Sequence, residues 1–267
     1  MDLTLVAVII GIVEGVTEFL PISSTGHMII VGHLLGFDGQ LANVFDVFVQ
    51  LGAILSVIFL YKEKFRHFFT REGWQVDKGL SVWHVAAGIV PVMGIAFFAH
   101  SAIKNYLFSP FTVAIGFVLG AILMIYAEKK TENMQDYLLD EVDKLSIRQA
   151  VLVGAFQILA LWPGFSRSGS TIGGGLLIGL TRKAAAEYSF IIAVPLMFVA
   201  CIYDLMKNIS SLSTNDLHLL AIGFVVSFVV AYVSILWFIG FLNRSRLTSF
   251  AYYRIIMAVV TLWYFYL

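Results

Sequence analysis

Charge is what this sequence has least of. Of its 267 residues only 13% are Asp, Glu, Lys or Arg, against 60% hydrophobic ones; a soluble domain carries about 25% charged residues. With a mean hydropathy of +0.89, the chain has too few polar side chains to cover a water-soluble domain of this size. Its single cysteine, Cys201, excludes a disulfide scaffold, and the apolar excess excludes disorder and a collagen-like fibre. Net charge is missing too: 17 basic residues balance 17 acidic ones, so nucleic acid is not a partner through bulk charge. No Lys or Arg precedes Lys62, so the N-terminus lacks the basic region of a cleavable signal peptide. The long apolar runs do not alternate, which argues against a β-barrel. What remains is an all-α integral membrane protein in a lipid bilayer.

Six apolar runs are long enough to span ~30 Å of hydrocarbon as helices. They lie at about 43–61, 81–102, 110–127, 187–206, 217–242 and 248–267. Two further apolar regions are interrupted. Residues 3–36 break at PISSTGH (Pro21 to His27), and residues 148–181 break at PGFSRSGST (Pro163 to Thr171). Each piece beside a break is only ~12–18 residues, short for a span and suited to a re-entrant helix–loop–helix hairpin. Two ordinary broken spans are the alternative. The expected fold is six transmembrane helices plus two re-entrant hairpins in one membrane domain, 1–267.

The charges test this count. If both hairpins return to the side they entered from, the segments 62–80, 128–148, 182–186 and 243–247 share one side. They hold Lys62, Lys64, Arg66, Arg71, Lys78, Lys129, Lys130, Lys144, Arg148, Arg182, Lys183, Arg244 and Arg246, which is 13 of the 17 basic residues. The other side, including the loop around position 210, holds only Lys104 and Lys207. The positive-inside rule then puts the 13 in the cytoplasm and both termini outside.

The chain also repeats itself weakly. Pro21-x-x-Ser24 recurs as Pro163-x-x-Ser166, each preceded by a run opening on glycine, Gly11 or Gly154. The unit is a hairpin plus three spans, in repeat 1 at about 1–127 and repeat 2 at about 148–267. Three is odd, so the second copy is inverted relative to the first. Inverted repeats with broken helices put the site where the breaks meet, near the midplane. Two helix N-termini then point at one spot, which suits an anion.

The polar residues inside apolar runs are the candidates for chemistry. Glu14 and Glu18, four apart, share one helix face, where two carboxylates either share a proton or hold a cation. Ser23, Ser24, Thr25 and His27 form the first break; hydroxyls there cap the new helix or act on a substrate. His27 lies three residues past Ser24, whereas His33, His67, His84, His100 and His218 have no such company and read as structural. Arg167 sits at the tip of the second break between Ser166 and Ser168. A buried arginine needs anionic partners, and hydroxyls, glycine-freed amides and a helix N-terminus beside it are what phosphate oxygens require. The bland alternative is a salt bridge from Arg167 to Glu14 or Glu18 that pins the hairpins together. Asp46 and Gln50 read as capping and packing, Arg254 as snorkelling from the last span, and 128–148 as a solvated loop.

EGVTEFLPISSTGH (Glu14 to His27) and PGFSRSGST (Pro163 to Thr171) resemble the two signature motifs of the bacterial undecaprenyl-diphosphate phosphatase family, the bacitracin-resistance type. The likeness runs over essentially the whole chain, including HMIIVGHLLG and FDVFVQLGAI. The family's paired acidic residues are matched by Glu14 and Glu18, its Ser and His by Ser24 and His27. Its phosphate-binding Ser-Arg and following Thr are matched by Ser166, Arg167 and Thr171, with Ser168 beside them. The resemblance implies a hydrolase that removes the terminal phosphate of a C55 polyprenyl diphosphate on the outer side of the bacterial cytoplasmic membrane. It also implies a divalent cation, Mg²⁺ or Ca²⁺.

The residues support that chemistry separately. Two glutamates, one arginine and a diphosphate of about −2 to −3 sum to a repulsive total unless a cation enters, and Glu14 and Glu18 are its expected ligands. Arg167 is expected to clamp the phosphate being transferred. Ser24, activated by Glu18 or His27, is one nucleophile; a water activated by His27 is the other. A lipid-phosphate flippase or anion carrier shares the inverted-repeat architecture but has no need of a hydroxyl–His–carboxylate set. An intramembrane protease using Ser24 and His27 is poorly served by Arg167. A homodimer is left open.

Overall fold

Apolar runs bounded by Pro, Gly and Ser turns set the element order. A computed structural model of the protein describes residues 2–37, 39–107, 109–132, 134, 138–208 and 216–266. The loop around position 210 lies outside the described residues. Eleven α-helices occur among those described: α1 (Leu3–Thr17), α2 (Ser24–Leu35), α3 (Gly39–Leu60), α4 (Lys62–His67), α5 (Val82–Leu107), α6 (Pro110–Thr131), α7 (Ile147–Gln157), α8 (Arg167–Leu177), α9 (Arg182–Asn208), α10 (Asp216–Leu242) and α11 (Thr248–Tyr266). No strand is present among these residues, only an isolated bridge between Leu139 and Leu180.

Among the described residues, four helical stretches are long and apolar enough to cross a membrane: Val82–Ala99, Pro110–Thr131, Arg182–Tyr203 and Asp216–Leu242. They correspond to four of the six expected spans. The other two are weaker by composition. The apolar part of α3, Val44–Leu60, is shorter, and α11 carries Arg254 and four tyrosines.

The two interrupted regions each form a helix, a turn and a second helix. α1 packs along α10 and turns back into α2; α7 packs along α5 and turns back into α8. Both long contacts are glycine-mediated. A Cβ on Gly11 of α1 would lie 2.9 Å from the Gly223 carbonyl of α10, and one on Gly154 of α7 would lie 2.6 Å from the Gly88 carbonyl of α5. Small residues at these crossings let the backbones approach closely. α6 pairs with α11, and α3 with α9.

Polar contacts sort the ends of the bundle. Lys64 pairs with Asp143, whose other oxygen accepts from the Leu80 amide at 3.3 Å. Glu128 accepts two bonds from Arg182, at 2.7 and 2.6 Å, and a third from the Leu247 amide at 2.8 Å. Arg246 pairs with Glu132 at 2.7 Å. The four basic segments thus gather at one end. At the other end the His33 ring bonds the Tyr264 hydroxyl at 2.7 Å, and Val6, Phe45 and Leu220 share a core cluster. The α1–α2 pair opens toward this second end and the α7–α8 pair toward the basic one.

Two expectations are corrected here. The stretch 128–148 is not simply solvated: Glu128, Val142 and Leu145 are buried, because Glu128 satisfies the starts of α9 and α11 at once. Arg254 does not snorkel. It is fully buried, because the face of α11 that carries it turns inward onto α6.

Removing one member of a buried charge pair strands the other. Glu128→Ala is expected to cost about 3 kcal/mol, read as a lowered thermal midpoint in detergent, and the double change with Arg182→Ala should recover part of it.

Candidate active site

Ser23 and Ser166 are the only non-glycine residues among those described with positive φ, at 70° and 74°. Such a backbone costs an L-residue about 1–3 kcal/mol and persists only where its surroundings over-determine it. Each serine is the N-cap of the helix that follows, α2 or α8. The caps correct the register of the sequence repeat by one residue. Ser23 is the counterpart of Ser166, so Ser24 and Arg167 are counterparts, each the first residue of its helix.

The two turns meet inside the protein. Ser168 Oγ donates to the Leu20 carbonyl across them at 2.8 Å. Arg167 Nη2 pairs with Glu18 Oε1 at 2.9 Å, and Ser24 Oγ donates to Glu18 Oε2 at 2.5 Å. One carboxylate therefore joins the first residues of both helices. Arg167 Nη1 donates to the Ser189 carbonyl and hydroxyl, each at 3.2 Å, and its guanidinium lies 5.4 Å from the Phe19 ring centre. The Thr171 hydroxyl bonds Ser189 Oγ at 2.6 Å. Ser166 Oγ accepts from the Gly169 amide at 3.1 Å and faces Ser168 Oγ at 3.2 Å.

A cavity of about 780 Å³ opens beside these groups. Glu18, Ser23, Ser24, Thr25, Gln50, Ser166 and Arg167 form its polar end. Its remaining wall is largely apolar and comes from α5 and α9, through Val92, Met93, Leu196 and Met197 among others, and from the turn before α8, Ala160 to Gly164. Each of these helices carries an internal proline, Pro91 or Pro195, just before its lining residues.

Among the expected site residues, Glu18, Ser24, Ser166 and Arg167 come together on the cavity. Ser168 and Thr171 lie buried beneath Arg167 and bond within the protein. Glu14 is buried one helical turn behind Glu18, and neither of its carboxylate oxygens has a hydrogen-bond partner among the described residues. The same is true of Arg167 Nε. Buried polar atoms without a partner are rare in native proteins.

His27 stands apart from this set. Its Nδ1 lies 2.8 Å from the Ser23 carbonyl, which can only accept, so Nδ1 carries the hydrogen. Its Nε2 accepts from the Tyr253 hydroxyl at 2.7 Å. The ring stacks on Tyr253 and meets the Phe117 edge. In this arrangement His27 braces the strained Ser23 cap.

Sequence reasoning missed three groups. Gln50 lines the cavity instead of only packing. Ser189, a lone hydroxyl in an apolar span, carries no local signal of its bond to Arg167. Tyr253, the partner of His27, is one of several aromatics in α11, and nothing in the sequence singles it out.

A sequence profile of the family described as bacitracin resistance protein BacA matches residues 7–260. The chain is 47% identical to undecaprenyl-diphosphatase 1 of Bacillus thuringiensis over 257 residues, 96% of each chain. It is 47% identical to the undecaprenyl-diphosphatase of Maridesulfovibrio salexigens over 259 residues, 97% of each. It is 45% identical to that of Solidesulfovibrio magneticus over 265 residues, 99% of each.

Proposed function

We infer that this chain, which belongs to the BacA family, is an undecaprenyl-diphosphatase: a membrane hydrolase that removes the terminal phosphate of undecaprenyl diphosphate and returns the monophosphate carrier to cell-wall synthesis. The observation that carries the chemistry is the Glu18 carboxylate, held between the Ser24 hydroxyl and the Arg167 guanidinium at the mouth of an apolar cavity.

Phosphoryl transfer asks a protein for positioning and charge neutralisation more than for covalent chemistry. Arg167, which lines the cavity, meets the terminal phosphate, while Ser189 and Glu18 fix the plane of its guanidinium. Ser24 Oγ attacks phosphorus and passes its proton to Glu18. The Oγ–P bond forms, the anhydride P–O bond breaks, and undecaprenyl phosphate leaves. Glu18 gives that proton to the departing undecaprenyl phosphate; water then attacks the phosphoserine, its proton passing to Glu18 and from there back to Ser24 Oγ as the Oγ–P bond breaks and phosphate departs. The Ser24–Glu18 hydrogen bond supports this route over a water activated by His27, whose two nitrogens are engaged by Ser23 and Tyr253. Amides at the starts of α2 and α8 add positive dipole ends at the same place.

The site residues fit a divalent cation, Mg²⁺ or Ca²⁺. Glu14 presents two buried oxygens without donors, one turn from Glu18, and Mg²⁺ commonly takes one or two carboxylates together with substrate phosphates. When bound, the ion supplies the positive charge that two glutamates and a diphosphate lack. The bilayer topology we propose is six spans and two re-entrant hairpins in two inverted halves, 1–127 and 148–267. The mirrored glycine contacts of α1 on α10 and α7 on α5 support it. The gathered basic segments face the cytoplasm, and both termini and the cavity face outward.

Arg167→Ala is expected to lose at least ~100-fold in kcat/KM while the protein still inserts and folds, since a preorganised charge aimed at the transition state is worth ~3–4 kcal/mol. Arg167→Lys should rescue little, because a point charge does not reproduce the planar fork. A sharp drop in stability, recovered by adding Glu18→Gln, would instead assign Arg167 to pinning the hairpins.

Phosphate release should stop on chelation and return with Mg²⁺ or Ca²⁺, and Glu14→Gln should weaken that dependence. Full turnover in excess EDTA removes the cation from this reading and leaves the hydrolase in place. Thr70→Cys should be labelled by membrane-permeant reagent only and Ser210→Cys by impermeant reagent as well; the reverse overturns the sidedness.

A further inference from the structure

Arg254 is the largest fully buried side chain of the described residues, and among these no carboxylate lies within ion-pair distance of it. Every hydrogen bond to oxygen that it makes goes to a backbone carbonyl. Nε donates to Phe117 at 3.2 Å. Nη2 donates to Gly116 at 3.1 Å, Gly164 at 3.0 Å and Phe165 at 2.6 Å. Nη1 reaches the Pro21 carbonyl at 3.5 Å.

These carbonyls are a particular set. Pro21 lies two residues before Ser23, and Gly164 and Phe165 lie directly before Ser166. One guanidinium therefore holds the chain entering both positive-φ caps and ties both to the α6 backbone. Space for it is built in. A Cβ on Gly120 would lie 1.9 Å from Nη2, and one on Gly169 would lie 2.7 Å from Nη1. The preceding residue, Tyr253, holds His27, which bonds the Ser23 carbonyl. Two consecutive residues of α11 thus fix the strained turns that aim Ser24 and Arg167.

We propose that Arg254 is a positioning residue for the reaction: it touches neither cavity nor substrate, and it sets the relative placement of the two turns on which Ser24, Glu18 and Arg167 depend. The inference rests on the phosphatase reading above. A lysine keeps the charge but has no planar fork of five N–H donors to spread over carbonyls of three segments.

The test uses full-length protein in detergent, with phosphate release from a polyprenyl diphosphate and thermal midpoints. R254K should remain folded and lose at least ~30-fold in kcat, with KM within about threefold of wild type, since misplacement by ~1 Å costs about 100-fold while most of the apolar wall, on α5 and α9, makes no contact with Arg254. Gly120→Ala leaves Arg254 in the chain but displaces its guanidinium, and its Cβ also presses the Phe165 carbonyl at 2.5 Å; it should show the same kcat loss, and its full activity counts against positioning even if R254K does not fold. Wild-type kcat per folded molecule in R254K would assign Arg254 to charge or stability alone, and wild-type kcat in Gly120→Ala would overturn positioning. Absence of phosphate release by the wild-type protein would overturn the phosphatase reading instead.

Discussion

Backbone carbonyls in a turn buried among helices have no water to bond, and this constraint governs how the site is built. Every such group must find a donor inside the protein or its desolvation is uncompensated. Here the turns before α2 and α8 end in caps with left-handed backbone, and their exposed carbonyls converge on Arg254. The glycines at 116, 120 and 169 follow from that choice. Each stands where a methyl group would collide with a turn or with the guanidinium. The pairing of α6 with α11 follows as well, since α6 supplies two of the carbonyls and α11 supplies the arginine.

The resting electrostatics follow the same economy of space. Arg167 is held by Glu18 and Ser189, so its orientation is fixed before any phosphate arrives. Glu18 is held in turn by Ser24. Held in this way, the three groups keep one mutual geometry; for the proposed reaction that is preorganisation, which spares reorganisation as charge develops. Glu14 is the exception, buried without a donor.

Much of this was legible in the sequence, for one physical reason: a polar residue in an apolar run is costly and stands out. Glu14, Glu18, Ser24, Ser166 and Arg167 announced themselves that way, and the structure brings four of the five onto one cavity. The helices emerged from the lengths of the apolar runs. Other features were hidden. A hydroxyl such as Ser189 costs little in an apolar helix, so its presence signals nothing until the fold sets Arg167 against it. Arg254 was visible but misread, because snorkelling and burial differ only in which way the helix is rotated, and an apolar run fixes no rotation. The matching prolines and the matching caps are one residue out of step, since the turn after Pro163 has one more residue before its cap than the turn after Pro21. Alignment on proline follows the letters, whereas the equivalence lies in backbone conformation.

The cavity has a consequence for what the protein recognises. Its volume of about 780 Å³ falls within the ~300–1,000 Å³ range of pockets that enclose a drug-sized molecule. A C55 chain of eleven isoprene units is far larger, so most of the lipid stays dissolved in the bilayer throughout. The tail that never leaves the membrane contributes no transfer free energy to binding, whatever its length. Affinity then resides in the head and the first few units, and the head is the part that the reaction shortens. Cutting off one phosphate removes charge from the head, so hydrolysis weakens the grip on its own lipid product.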